Sequence, residues 1–145
     1  MCIRDSNNGE APLGLRRDFD LGDVDETYLA KRGLHWDAVM EGSSRWIILR
    51  NFPIPDGYTM KAIDIAVQIP ATYPQAALDM FYCRPFAQLK SSRQIPATEA
   101  RQSIAGQSYQ RWSRHRSGTT AWNPNHDSLI THIAIIDDAL LREVE

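Results

Sequence analysis

The sequence is poor in cysteine. Its 145 residues include two, Cys2 and Cys83. Two cysteines make neither a disulfide framework nor a cysteine-rich zinc site, and a chain so sparing of them reads as cytoplasmic. No apolar run approaches the ~20 residues that a membrane span requires. No basic stretch followed by an apolar one opens the chain, so no secretory signal is expected. Excess charge is lacking too, with 16 Lys+Arg against 18 Asp+Glu. Together with a hydrophobic content of 43%, that balance excludes a disordered polyelectrolyte and leaves room for one closed core. Internal repeats and linkers are absent, so a single domain is expected over residues 20–145.

The charge that is present is unevenly spread. Between residues 84 and 116, seven basic side chains (Arg84, Lys90, Arg93, Arg101, Arg111, Arg114 and Arg116) accompany one acid, Glu99. Before that band 12 acids outnumber 8 bases, and after it five acids outnumber one base. A basic band between acidic flanks attracts an anionic partner, or else marks a long solvated loop.

Residues 1–19 show no periodicity and read as a loop-like or disordered segment; Asn7-Asn8-Gly9 and Pro12 are turn signals. Met1–Ser6 has the look of a non-native scar. Asp23-Val24-Asp25-Glu26 opens a helix, with Asp23 or Asp25 as cap and Gly33 as stop. Trp36, Ala38 and Met40 then alternate with Asp37, Val39 and Glu41, as in a half-buried strand. Further strands are expected over 45–50, 62–69 and 78–83, and their short spacing predicts an antiparallel meander of four. Residues 84–120 carry no period. So long an irregular stretch is usually functional or disordered, and Tyr109 and Trp112 argue for an anchored one. From Asp127 to Val144, Leu129, Ile133, Ile136, Leu140 and Val144 recur at helical spacing. The predicted class is α+β, with helices packed on one sheet.

Several ordered motifs carry a resemblance. They are Ile69-Pro70-Ala71-Thr72-Tyr73-Pro74, then Asp79-Met80-Phe81-Tyr82, and later Trp122-Asn123-Pro124 before a helix. This order resembles the ubiquitin-conjugating enzyme fold, in which a P-x-x-Y-P turn follows the third strand and a long active-site loop precedes a W-x-P element and a helix. Asn51-Phe52-Pro53 with Gly57-Tyr58, and Gln110-Arg111-Trp112-Ser113-Arg114-His115, narrow the likeness to prokaryotic family-E ubiquitin-conjugating-like proteins. The resemblance covers roughly 20–142. It implies a carrier that takes the C-terminal acyl group of a ubiquitin-like protein from an adenylating, activating enzyme and passes it to an amine. It also implies a setting in bacterial defence against phage, and a partner surface that includes Val24–Arg32. No metal or cofactor is implied.

The chain departs from the better-known pattern of that fold. No cysteine lies in the loop, and Cys83, at the end of the fourth strand, is expected to pack. No His-Pro-Asn element precedes it. The bacterial branch resembles systems in which a serine carries the acyl group as an oxyester. By its place in the Gln110–His115 motif, Ser113 is the candidate, with Ser108 as alternative. A serine hydroxyl needs an adjacent base. In an extended segment His115 shares the face of Ser113, roughly 6.5 Å away along the chain, and Arg111 shares it too. Arg111 and Arg114 are candidates for oxyanion or partner contacts. Trp112 and Tyr109 are the aromatic candidates, Trp112 rather as a loop anchor.

Three other readings compete. A non-catalytic binding module of the same fold fits the missing cysteine. Single-stranded nucleic acid would suit arginines interleaved with Tyr109 and Trp112, but the acidic flanks disfavour it. A serine hydrolase built on Ser113, His115 and Asp127 lacks the G-x-S-x-G turn. His126 and His132 miss the spacing of a metal-ligand pair.

Overall fold

The computed structural model describes residues 15–145. The expectations for Met1–Ser6 and most of the N-terminal loop therefore lie outside the described residues. Just inside them, Arg17 pairs in parallel with Ala38, and Asp18 N–H donates to Ala38 O at 2.8 Å.

Helix α1 spans Asp23–Lys31. Its acids crowd the first turn, where the helix dipole favours them. The cap differs from expectation: Gly22 occupies that position and no side chain caps the helix, because Asp23 and Asp25 already lie inside it. Gly33 N–H donates to Ala30 O at 3.0 Å, and Gly33 takes φ +70°. That left-handed turn is open to glycine at little steric cost and stops the helix.

Six strands follow: β1 (His35–Glu41), β2 (Ser44–Pro53), β3 (Ala62–Ile69), β4 (Phe81–Arg84), β5 (Arg101–Ile104) and β6 (Gln107–Trp112). They form one antiparallel sheet in the order β1-β2-β3-β4-β6-β5. The first four are neighbours in chain order, as a meander requires. The sheet does not end there, however, and the stretch read as an irregular loop holds its last two strands. Their turn is Ala105-Gly106, both at positive φ (53° and 78°), the conformation that suits a tight hairpin. β4 begins three residues later than expected, because Met80 at φ +57° breaks the extended chain.

Register sorts the side chains onto two faces. Ile47 stands opposite Val67, Ile65 opposite Cys83, and Phe81 opposite Trp112. This face packs under α2 (Leu129–Arg142), whose Leu129, Ile133, Ile136 and Leu140 are fully buried. Each such side chain contributes roughly 1.5–3 kcal/mol of burial. Val144 falls past the helix end and is only partly buried. Ser128 caps α2, its side chain accepting from Ile130 N–H at 3.1 Å.

The opposite face holds a second apolar cluster, including Val39, Trp46, Ile48, Tyr82, Ile104 and Tyr109. The sheet curls over it. Glu41 Oε2 accepts Ala105 N–H at 2.7 Å, joining the end of β1 to the β5–β6 turn. Cover on both sides explains why β1 does not alternate: Trp36, Asp37, Ala38 and Val39 are all buried, and Met40 is exposed. The buried Asp37 is satisfied by Arg50 Nε at 2.7 Å and Arg16 N–H at 2.6 Å. Among the described residues, no helix is long and apolar enough to cross a membrane.

Candidate active site

The site is built where β6 ends. Trp112 stacks on Phe81 with ring centroids 5.1 Å apart and is 0% exposed. Its Nε1–H donates to Gln110 Oε1 at 3.0 Å, and that oxygen also accepts Ala87 N–H at 2.9 Å. The strand is thus pinned at its last residue, and Trp112 anchors the chain from within the core. Tyr109, at 1% exposed, is buried on the opposite face. Neither ring offers a face to a partner, which corrects their place among the binding candidates.

Beyond Trp112 the chain turns. Arg114 N–H donates back to Trp112 O at 3.0 Å, a three-residue turn centred on Ser113. Ser113 N–H donates to Ala97 O at 3.0 Å. The extended geometry expected through 111–115 is therefore absent. Arg111 is carried to the far face, opposite Tyr82, with its Nε buried and unpartnered among the described residues. Arg114 lies over the Trp112 ring at 4.8 Å, donates to Pro96 O at 3.1 Å and approaches Glu143 at 3.4 Å. Its charge is engaged within the fold.

A groove of about 620 Å³ opens between residues 113–120 and the outer side of α2. Ser113 and His115 lie along one wall, and Ala134, Ile135, Asp138 and Arg142 along the other. Ser113 and His115 thus come together as lining residues of one groove. No hydrogen bond joins their side chains among the described residues. His115 instead meets Asp79: Nδ1 lies 3.0 Å from Oδ2. Ser108 stands opposite Ser103 near the turn of the hairpin, exposed and outside the groove. That is about 17 Å of strand from Ser113.

One arginine of the basic band is structural. The Arg116 side chain is 7% exposed. Its Nε donates to Leu78 O at 2.9 Å, Nη1 to Thr120 O at 3.2 Å and Nη2 to His132 Nδ1 at 3.0 Å. The guanidinium also lies 4.6 Å over the Trp122 ring. Burial holds its pKa below the usual arginine range, against the pull of Asp127 and Asp79. His132 in turn donates from Nε2 to Met80 O at 2.9 Å. Burial pushes its imidazole down to about 4, with the adjacent Arg116 acting in the same sense, so it is neutral near pH 7. With both nitrogens engaged, His132 has none left for a metal ion. Asp127 caps its own turn, accepting Asn123 N–H at 2.9 Å, and lies 3.7 Å from Arg116. It is Asp79, not Asp127, that partners His115.

Cys83 is fully buried, and burial pushes its thiol well above the ordinary range. A nucleophilic thiolate needs an exposed, cationic setting, so this cysteine packs. Two exposed arginines of the basic band are engaged by neighbours. Arg93 pairs with Glu143 at 3.0 Å, and Arg101 donates to the carbonyls of Thr98, Glu99 and Ala100. Tyr109 and Trp112 are buried, so neither ring expected to stack a base of single-stranded nucleic acid is open to one.

The family model for Prokaryotic E2 family E matches residues 21–143. The chain belongs to that family. The match runs from the approach to α1 to the end of α2, so it takes in the whole sheet and the groove. No curated protein and no solved structure gives a significant match. The sequence does not pair Asp79 with His115. Asp79 lies 36 positions from His115 in the chain, and only the fold brings the two together.

Proposed function

We propose that this E2-family chain is the carrier of a bacterial ubiquitin-like conjugation pathway. It accepts the C-terminal acyl group of a ubiquitin-like protein from an adenylating, activating enzyme. It holds that group on Ser113 as an oxyester and passes it to an amine. The observation that carries the reading is the meeting of Ser113 and His115 in one open groove within the family-matched region. Two others support it. Cys83 is sealed in the core, which leaves an alcohol as the nucleophile of the region. Trp112 and the Ala97 carbonyl hold the Ser113 backbone in place, and a fixed nucleophile lowers the entropic cost of attack.

A direct hydrogen bond between Ser113 and His115 is not needed before the donor arrives. Catalytic hydrogen bonds often tighten only in the complex, or run through one water. The missing contact equally suits a binding module that holds the ubiquitin-like protein without chemistry, and one experiment separates the two. The protein is incubated with its activating enzyme, the ubiquitin-like protein and ATP. The carrier reading expects a covalent adduct that survives thiol reductant and breaks in alkali. A binding module would capture the ubiquitin-like protein with no covalent band. Full adduct formation by Ser113→Ala would overturn Ser113 as carrier, and Ser108→Ala is the matched control.

A further inference from the structure

The segment before β4 is held more firmly than packing alone requires. Leu78 O accepts from Arg116 Nε at 2.9 Å, and Met80 O accepts from His132 Nε2 at 2.9 Å. Both donors are buried, and they grip the backbone on either side of Asp79. Met80 itself sits at φ +57°, a left-handed conformation that a non-glycine residue rarely adopts. Strain of this kind persists where surrounding structure over-determines the backbone, and it gathers at functional sites. Its effect here is to aim the Asp79 carboxylate out of the sheet toward the loop that follows β6.

That carboxylate has an unusual division of labour. Oδ1 is sealed from solvent and has no partner among the described residues. Oδ2 lies 3.0 Å from His115 Nδ1. Asp79 and His115 are 42% and 65% exposed, and an exposed ion pair returns little stability. Stability therefore does not explain why a strained, clamped backbone presents this group. Orientation does. A histidine whose Nδ1 is held by a carboxylate is fixed in ring orientation and in tautomer, and its Nε2 lone pair is left free.

We propose that Asp79 is the positioning residue of the groove, holding His115 with Nδ1–H toward Oδ2 so that Nε2 serves as the base for Ser113. This rests on the carrier reading above and adds to it the residue that makes His115 competent. Ser113 Oγ attacks the carbonyl carbon of the activated ester or thioester that the activating enzyme presents. The Oγ–C bond forms as the Oγ proton passes to His115 Nε2. The bond from that carbon to the donor's oxygen or sulfur then breaks, and His115 returns the proton to the departing atom. The Asp79 carboxylate stays ionised throughout and stabilises the transient imidazolium. Other charges on the groove, Arg114, Asp138, Arg142 and Glu143, come from α2 and the loop.

The test reads the His115 ring directly. In ¹⁵N-histidine-labelled protein, the neutral His115 ring is expected in the Nδ1–H tautomer, the minor form of free histidine. In Asp79→Ala, the Nδ1–H tautomer is expected to give way to the Nε2–H form that free histidine prefers, because the partner that holds Nδ1–H is gone. With the loaded activating enzyme as donor, Asp79→Asn is expected to slow adduct formation about 10²–10⁴-fold at saturation while KM for the donor holds, and Asp79→Glu to recover part of the rate. An Nε2–H tautomer in the unmodified protein overturns the proposal, whatever becomes of the variants. So does a His115 tautomer that Asp79→Ala leaves unchanged. Failure of the carrier reading is a separate result. There Ser113→Ala still loads fully, although the tautomer behaves as expected in the unmodified protein and in Asp79→Ala.

Discussion

Arg116 Nη2 donates to His132 Nδ1 at 3.0 Å, and the same histidine donates from Nε2 to Met80 O at 2.9 Å. A relay so arranged works only with a neutral imidazole. A protonated His132 would carry a hydrogen on both nitrogens and face a guanidinium with no lone pair to offer. The relay joins α2, the loop after β6 and the residue that precedes β4, so the groove rests on it.

Stability should therefore fall in mild acid. His132 is lowered from 6.5 to about 4 by burial and by Arg116. Between those values the unfolded chain binds a proton that the folded chain does not. Stability thus declines as pH drops through that window, by on the order of 3 kcal/mol in all, and the contribution levels off below it. Denaturant midpoints at stepped pH check this against His132→Gln. The variant should lack the extra slope; equal slopes would mean that His132 is not the titrating group.

Removing the other partner should unpin the loop. Arg116→Met keeps bulk but leaves His132 Nδ1, Leu78 O and Thr120 O without their donor. Loss of a buried charge-assisted network of this kind costs about 2–4 kcal/mol. Backbone amides of 113–120 should then exchange faster, and the acid-dependent slope should shrink because Arg116 no longer opposes protonation of His132. Hydrogen exchange and the same pH series measure both effects.

These residues also mark where the sequence stops being informative. Apolar runs bounded by turn signals locate β2 and β3, and the period of 3.6 locates α2, where Leu129, Ile133, Ile136 and Leu140 face the core. The β5–β6 hairpin is illegible. Arg101-Gln102-Ser103 is exposed at the sheet edge, and the turn is Ala105-Gly106 in place of the usual Asn-Gly signal. Ser113 and His115, the candidates from the Gln110–His115 motif, line one groove. Asp79 and Arg116 are not legible, since a carboxylate and a guanidinium look solvated until the fold gives them partners. Local spacing also misled: the turn at Ser113 breaks the alternation that would have kept Arg111 beside it.

Cys83 should behave as a core residue. In the native protein its thiol is expected to resist alkylation, with modification appearing only as the chain unfolds. Peptide mass mapping distinguishes it from Cys2. Cys83→Ala should cost about 1 kcal/mol through a small cavity and leave adduct formation intact. Rapid labelling of the folded protein at Cys83, or loss of the adduct in a folded Cys83→Ala variant, would restore the thiol as a candidate nucleophile.

Tyr73 bridges the two helices, and the effect of removing its hydroxyl should depend on pH in a defined direction. Its hydroxyl donates to Asp25 Oδ2 at 2.6 Å and accepts Leu129 N–H, the first residue of α2, at 2.7 Å. Burial raises the pKa of Asp25, and the bond from Tyr73 partly offsets that rise. In Tyr73→Phe the offset is lost and Leu129 N–H is left without its acceptor. The expected cost near pH 7 is about 1–3 kcal/mol. A carboxyl with a raised native pKa binds a proton that the unfolded chain has already released, so its contribution to stability falls as pH rises above the unfolded value. The variant raises that native pKa further, so its penalty should grow from about pH 3 to about pH 7. Paired unfolding curves at the two extremes measure the difference. A penalty that stays constant with pH would place the loss at Leu129 N–H alone and remove Asp25 from the coupling.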